Sequence, residues 1–182
     1  MKEYTRTDTL VANVPYMLVI LLGAMIIAFG FSFSFWAWVS AGGFILYGIV
    51  GTVWIMILVC PYCVFYATRS CPCGYGVISA KLVKKGNRNC FSEKFKRHIP
   101  VIIPLWITPV VCGSIILYKG FSWTIAVLLT AFCVNSYIIL PVLSRKHSCC
   151  ECPQKDDCPW MGSAESAQVQ EGGSPLEVDC SI

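Results

Sequence analysis

From Thr9 to Val59 the chain contains no Asp, Glu, Lys or Arg. A water-soluble domain cannot leave a run of that length uncharged, because too little of its surface would be solvated. The rest of the composition agrees. Of 182 residues, 56% are hydrophobic and 13% charged, with a mean hydropathy of +0.65. Ordinary soluble domains carry about 25% charged residues. The chain therefore reads as an integral membrane protein, with the lipid bilayer as its first partner.

Four apolar segments can be delimited, at about 11–31, 39–59, 99–118 and 124–143. Each has about the 20 residues that a helix needs to cross the hydrocarbon core. The expected fold is an all-α membrane protein, a four-transmembrane-helix bundle. The first segment is too long for the apolar part of a signal peptide and lacks a small-residue cleavage site. Between the first two segments lies Phe31-Ser-Phe-Ser-Phe-Trp-Ala-Trp38, which suits an interfacial aromatic belt. Gly42, Gly43, Gly48 and Gly51 fall in segment two and are expected to let helices approach closely. Pro100, Pro104 and Pro109 in segment three predict a kinked helix, since each removes a backbone donor. Asn135 in segment four is expected to hydrogen-bond a neighbouring helix. The hairpins formed by segments one and two and by segments three and four should lie side by side.

The loop between segments two and three carries Arg69, Lys81, Lys84, Lys85, Arg88, Lys94, Lys96 and Arg97 against Glu93 alone. Arg145 and Lys146 follow segment four, whereas the opposite side has only Lys119. Lys and Arg excess in short loops marks the cytoplasmic side. Both termini and the long loop are thus expected in the cytoplasm, where thiols stay reduced and structural disulfides are rare. Val77 to Lys85 alternates apolar and basic residues as a short surface helix would, with Gly86 as its stop signal.

Two cysteine sets follow segments two and four. The first, in segment 60–76, holds Cys60, Cys63, Cys71 and Cys73; the second, in segment 147–160, holds Cys149, Cys150, Cys152 and Cys158. Spacings this short suit metal ligation better than cross-links between distant loops. Several chemistries can use them. Iron–sulfur clusters take thiolates from Cys-x-x-Cys pairs plus a further cysteine, and Gly74, Gly76 and the adjacent prolines can turn backbone amides toward sulfur. That makes iron–sulfur electron transfer at the cytoplasmic membrane face, with a cytoplasmic or membrane redox partner, the leading expectation. Zinc needs four ligands in a tetrahedron and uses the same half-site, giving a zinc-stabilised scaffold or docking subunit. A soft-metal transporter would also use thiol pairs, although only Cys112, Cys133 and Asn135 interrupt the apolar path. Two histidines, His98 and His147, lie at segment borders, which disfavours haem. No nucleic-acid partner is indicated.

Cys60-Pro-Tyr-Cys63 resembles a glutaredoxin active-site tetrapeptide. Four membrane helices with such a pair are also similar to the quinone-linked disulfide-forming membrane oxidoreductases. The resemblance implies thiol–disulfide exchange as a further alternative. It covers the helix number and one tetrapeptide.

Residues 1–161 are expected to form the membrane domain with its cysteine segments. Residues 162–182, rich in Ser, Glu, Gln and Gly, are expected to be a disordered tail. Because Cys149 and Cys150 are adjacent, the second set is expected to lack one ligand and to borrow it from the first set or from His147.

Overall fold

A computed structural model describes residues 3–30 and 34–149. They are helical, with no strand among them. Four continuous helical stretches are long and apolar enough to cross a membrane: Arg6–Gly30, Phe35–Tyr62, Arg88–Lys119 and Trp123–Lys146. Among the described residues the protein is all-helical, with four helices long and apolar enough to span a membrane. By its contacts it divides into two units. One comprises Leu10–Val53 and Val101–Leu143; the other draws on Met1–Thr9, Trp54–Pro100 and Ser144–Ile182.

The first helix, α1, spans Arg6–Gly30 and begins earlier than its apolar residues do. Thr5 and Asp8 explain the extension. The Thr5 amide and hydroxyl donate to the Asp8 carboxylate at 3.0 and 2.7 Å, and the Asp8 amide donates back to Thr5 Oγ1 at 3.3 Å. This reciprocal cap satisfies donors that a helix start leaves open. Helix α2 spans Phe35–Leu58, starting within the aromatic stretch; Phe35, Trp36 and Trp38 are 74, 74 and 59% exposed. Residues 31–33 of that stretch lie outside the described residues.

In the unit of Leu10–Val53 and Val101–Leu143, α1 touches every other long helix. Gly23 faces Phe44 of α2 and Pro109 of α5, the helix Pro104–Lys119. Gly48 of α2 takes the Ile20 side chain, whose Cδ1 would be 2.6 Å from an added Cβ. Tyr16 donates from its hydroxyl to the Gly48 carbonyl at 3.2 Å, and Thr52 donates to the same carbonyl at 2.9 Å. Val19 and Ile26 of α1 pack on Phe132 of α6, the helix Trp123–Val134, with Trp106, Val110 and Cys133 around them. The two helical hairpins therefore lie side by side as expected. The glycine expectation holds in part. Gly48 and Gly51 meet side chains across the packing, whereas Gly42 and Gly43 have nothing within 4 Å of an added Cβ and serve no contact.

Segment three changes helix type partway along. Short α4 (Phe91–His98) leads into a 3-10 turn at Ile99–Ile102, and α5 then starts at Pro104. Pro104 sits in the first turn of α5, where a missing N–H costs nothing. Only Pro109 is inside the helix.

Segment four changes pitch. After α6 comes a π-helical turn, Asn135–Ile139, in which the Leu140 amide donates to the Asn135 carbonyl. Pro141 follows in α7, Leu140–Leu143, and has no amide to continue the ordinary ladder. A second π turn, Ser144–Cys149, carries the helix on. Asn135 is 3% exposed and donates from Nδ2 to the Pro15 carbonyl at 2.9 Å. This is the interhelical bond expected of it.

Candidate metal centre

The first cysteine set lies in the other unit. Its loop begins at a 3-10 turn, Cys60–Tyr62, started by Pro61 and closed by the Cys63 amide donating to the Cys60 carbonyl. The chain then folds back through tight turns. The Tyr66 amide donates to the Cys63 carbonyl at 3.1 Å, the Thr68 amide to the Phe65 carbonyl at 3.2 Å and the Gly74 amide to the Cys71 carbonyl at 3.0 Å. Gly74 has φ of +72°, a backbone state that favours glycine. It leads into α3, Tyr75–Leu82.

Gly76, in the first turn of α3, is where the loop and helix meet. Its amide donates to Cys71 Sγ at 3.4 Å, and its carbonyl accepts from the Ala67 amide at 3.1 Å. A Cβ here would collide with the Phe65 carbonyl oxygen and stand 3.3 Å from Cys71 Cβ. Only glycine lets the helix lie this close. At the far end of α3, the Tyr66 hydroxyl donates to the Val83 carbonyl at 2.6 Å. The expected surface helix is therefore real, and its basic side chain Lys81 is exposed. It ends at Val83, however, and Gly86 is not its stop. Gly86 instead sits against the Tyr62 ring, 2.5 Å from where its Cβ would be, and its amide donates to the Pro61 carbonyl at 3.1 Å.

Below the loop, Val59, Tyr62, Cys90 and Phe91 form a small core, with Cys63 and Phe95 packed on it. Phe91 and Phe95 recur at helical spacing on α4, with ring centroids 5.6 Å apart. That apolar face holds α4 to the loop, and its Phe91–Phe95 spacing was the signal for a helix that the sequence reading left as loop. Lys94 is 7% exposed, and its Nζ lies 5.6 Å from the Tyr62 ring centroid. The electron-rich ring face compensates part of the cost of burying the ammonium. The other basic residues of this loop are exposed.

Cys60, Cys63, Cys71 and Cys73 are each half-buried. Cys60 lies within electrostatic range of the other three. Among the described residues, no three or more His, Cys, Asp or Glu side chains already stand as a metal-holding group. As side chains they are four soft sulfurs on one loop, one of them already receiving an amide N–H. Cys112 and Cys133 are free thiols within α5 and α6, and Cys133 packs in the apolar core there. His98 stacks edge-on against Trp54 at 6.0 Å.

Cys90 is 1% exposed and disulfide-bonded. The expectation of a wholly reduced loop fails at this position, where burial against Tyr62 and Phe91 shields the sulfur. Cys150, Cys152, Cys158 and residues 162–182 lie outside the described residues, as do the side chains of His147 and Cys149. The Cys149 backbone ends the second π turn.

The chain matches no protein-family model, no curated protein and no solved structure.

Proposed function

We propose that this is a membrane metal-thiolate protein in which Cys60, Cys63, Cys71 and Cys73 hold an iron–sulfur centre for electron transfer at the cytoplasmic face. The observation that carries the reading is four cysteines on one short loop, with an amide already donating to Cys71 Sγ. Backbone donors of this kind stabilise thiolate charge and set the potential of sulfur-ligated iron. Such a centre supplies one-electron chemistry. The chain itself supplies ligands, a glycine-tight backbone and an apolar floor of Val59, Tyr62 and Phe91. The second set, Cys149, Cys150, Cys152 and Cys158, offers ligands for a second centre or for sharing with the first. The Lys and Arg excess of the loop supports the cytoplasmic orientation.

Protein purified without oxygen should be brown, contain iron and acid-labile sulfide, and bleach with dithionite. Colourless protein carrying zinc would replace this reading with the zinc-stabilised scaffold. A second reading, thiol–disulfide exchange, is favoured by one observation: the disulfide-bonded Cys90 belongs to the core on which Cys63 packs. In that reaction the Cys63 thiolate attacks Cys90 Sγ, a Cys63–Cys90 bond forms and the former partner of Cys90 leaves as thiolate. Mass spectrometry of differentially alkylated protein would find the Cys63–Cys90 pair under this reading and free Cys63 under the metal reading.

A further inference from the structure

Helix α3 has one fastened face and one open face. Gly76 and Ser79 are its buried residues. The Gly76 carbonyl accepts from the Ala67 amide, and the Val83 carbonyl, just past the helix, accepts from the Tyr66 hydroxyl. Positions 76, 79 and 83 share one side of the helix, and 77, 78, 81 and 82 share the other. Val77, Ile78, Lys81 and Leu82 are all exposed, the three apolar ones at 37, 47 and 56%. A helix of 8 residues does not persist on its own in water. The inner bonds therefore hold it in place and decide which side turns outward. Singly exposed apolar residues need no explanation, but here three lie on one arc with a lysine among them.

The charge around that arc is of one sign. Lys84 and Lys85 follow the helix directly, and Arg69 and Arg88 flank it in the same loop; all four are exposed. No Asp or Glu occurs from Cys60 to Ser92, so the loop has no carboxylate of its own to neutralise them. The loop connects Phe35–Tyr62 to Arg88–Lys119, two stretches long and apolar enough to cross a membrane. Tethering at both ends keeps its effective concentration at the headgroups high. An acidic protein surface would match the lysines but leave Val77, Ile78 and Leu82 against carboxylates. An anionic bilayer surface matches both: alkyl side chains enter the boundary of headgroups and acyl chains, and lysines extend to the phosphates.

We propose that the outer face of α3 is an interfacial lipid site, in which Val77, Ile78 and Leu82 insert among anionic phospholipids and Lys81, Lys84 and Lys85 bind their phosphates. The site involves no metal and stands apart from the thiolate reading; it rests on the apolar helices crossing a bilayer. Seated there, α3 holds the cysteine loop to the membrane surface through the bonds at Gly76 and Val83.

The test uses the full-length protein in nanodiscs of phosphatidylcholine, alone or mixed with phosphatidylglycerol. Hydrogen exchange of the amides of residues 77–85 is read by mass spectrometry. In the mixed discs these amides should exchange about tenfold slower or more, since each basic residue at an anionic surface is worth about fivefold. High salt should remove most of that difference. Lys81→Gln/Lys84→Gln/Lys85→Gln should abolish the response to phosphatidylglycerol, and Ile78→Ser/Leu82→Ser should weaken it. Unchanged exchange in Arg6–Gly30 shows that each variant is folded. The lipid and salt comparisons use wild type alone and decide the matter even where a variant fails to fold. Glycerol phosphate added to phosphatidylcholine discs should change nothing; slowing by it would reveal a site for free phosphate and overturn the lipid surface. Equal exchange in the two kinds of disc, or a response that survives loss of the three lysines, likewise overturns the proposal.

Discussion

Single atoms decide several positions in this chain. Gly76 tolerates no Cβ because the Phe65 carbonyl, part of the backbone, stands in its place. Gly76→Ala should destabilise the protein by about 1–3 kcal/mol, as overpacked sites do, and reduce metal content, both measurable on detergent-purified protein. Unaltered unfolding would mean that the loop can move away from α3. Buried polar atoms in the membrane-spanning helices make a contrasting pair. Asn135 donates through Nδ2 to the Pro15 carbonyl while its Oδ1 has no partner, whereas Ser136 makes no bond through its Oγ at 5% exposure. Asn135→Ala should cost about 0.6 kcal/mol, the typical value of an interhelical bond in lipid. Ser136→Ala should be neutral or stabilising. Denaturant titration in mixed micelles reads the two signs; a stabilising Asn135→Ala would contradict the Pro15 bond.

At the level of whole helices, the glycines of α2 allow a direct comparison. Gly48 presses on Ile20 and Gly42 on nothing, although both belong to the same apolar run. Gly48→Ala should lower the thermal midpoint, while Gly42→Ala should leave it unchanged or raise it, because alanine is the better helix former by about 1 kcal/mol. Equal effects would mean that α1 and α2 do not pack through Gly48. The start of α1 was hidden in a segment that reads as a polar leader, since Thr5 and Asp8 act through a cap rather than through apolar periodicity. The π turn was hidden too. Pro141 announces a disturbance near the end of segment four, but whether a helix bends, breaks or widens there depends on what its neighbours accept.

Across the whole molecule, if the four apolar helices all cross the bilayer, the even number of crossings between the cysteine segments would put those segments on one side. Short reporter tags inserted at Gly120 and at Lys85 should be reached from opposite sides in sealed vesicles. Reaction of both from the same side would refute the topology, and reaction of Lys85 from outside the cell would reverse the orientation.

The amino-acid sequence by itself determined the four helices and the all-α class, because a bilayer admits few ways to satisfy a backbone and an uncharged run that long has nowhere else to go. Only the tertiary structure decided which donors face the cysteine thiols. The Gly76 amide reaches Cys71 because α3 folds back over the cysteine loop, and Gly86 meets Tyr62 rather than ending a helix. Tertiary structure likewise set Cys90 in an apolar core as a disulfide rather than a loop thiol. Those outcomes depend on contacts between residues distant along the chain, and no local pattern encodes the distance between an amide and a sulfur.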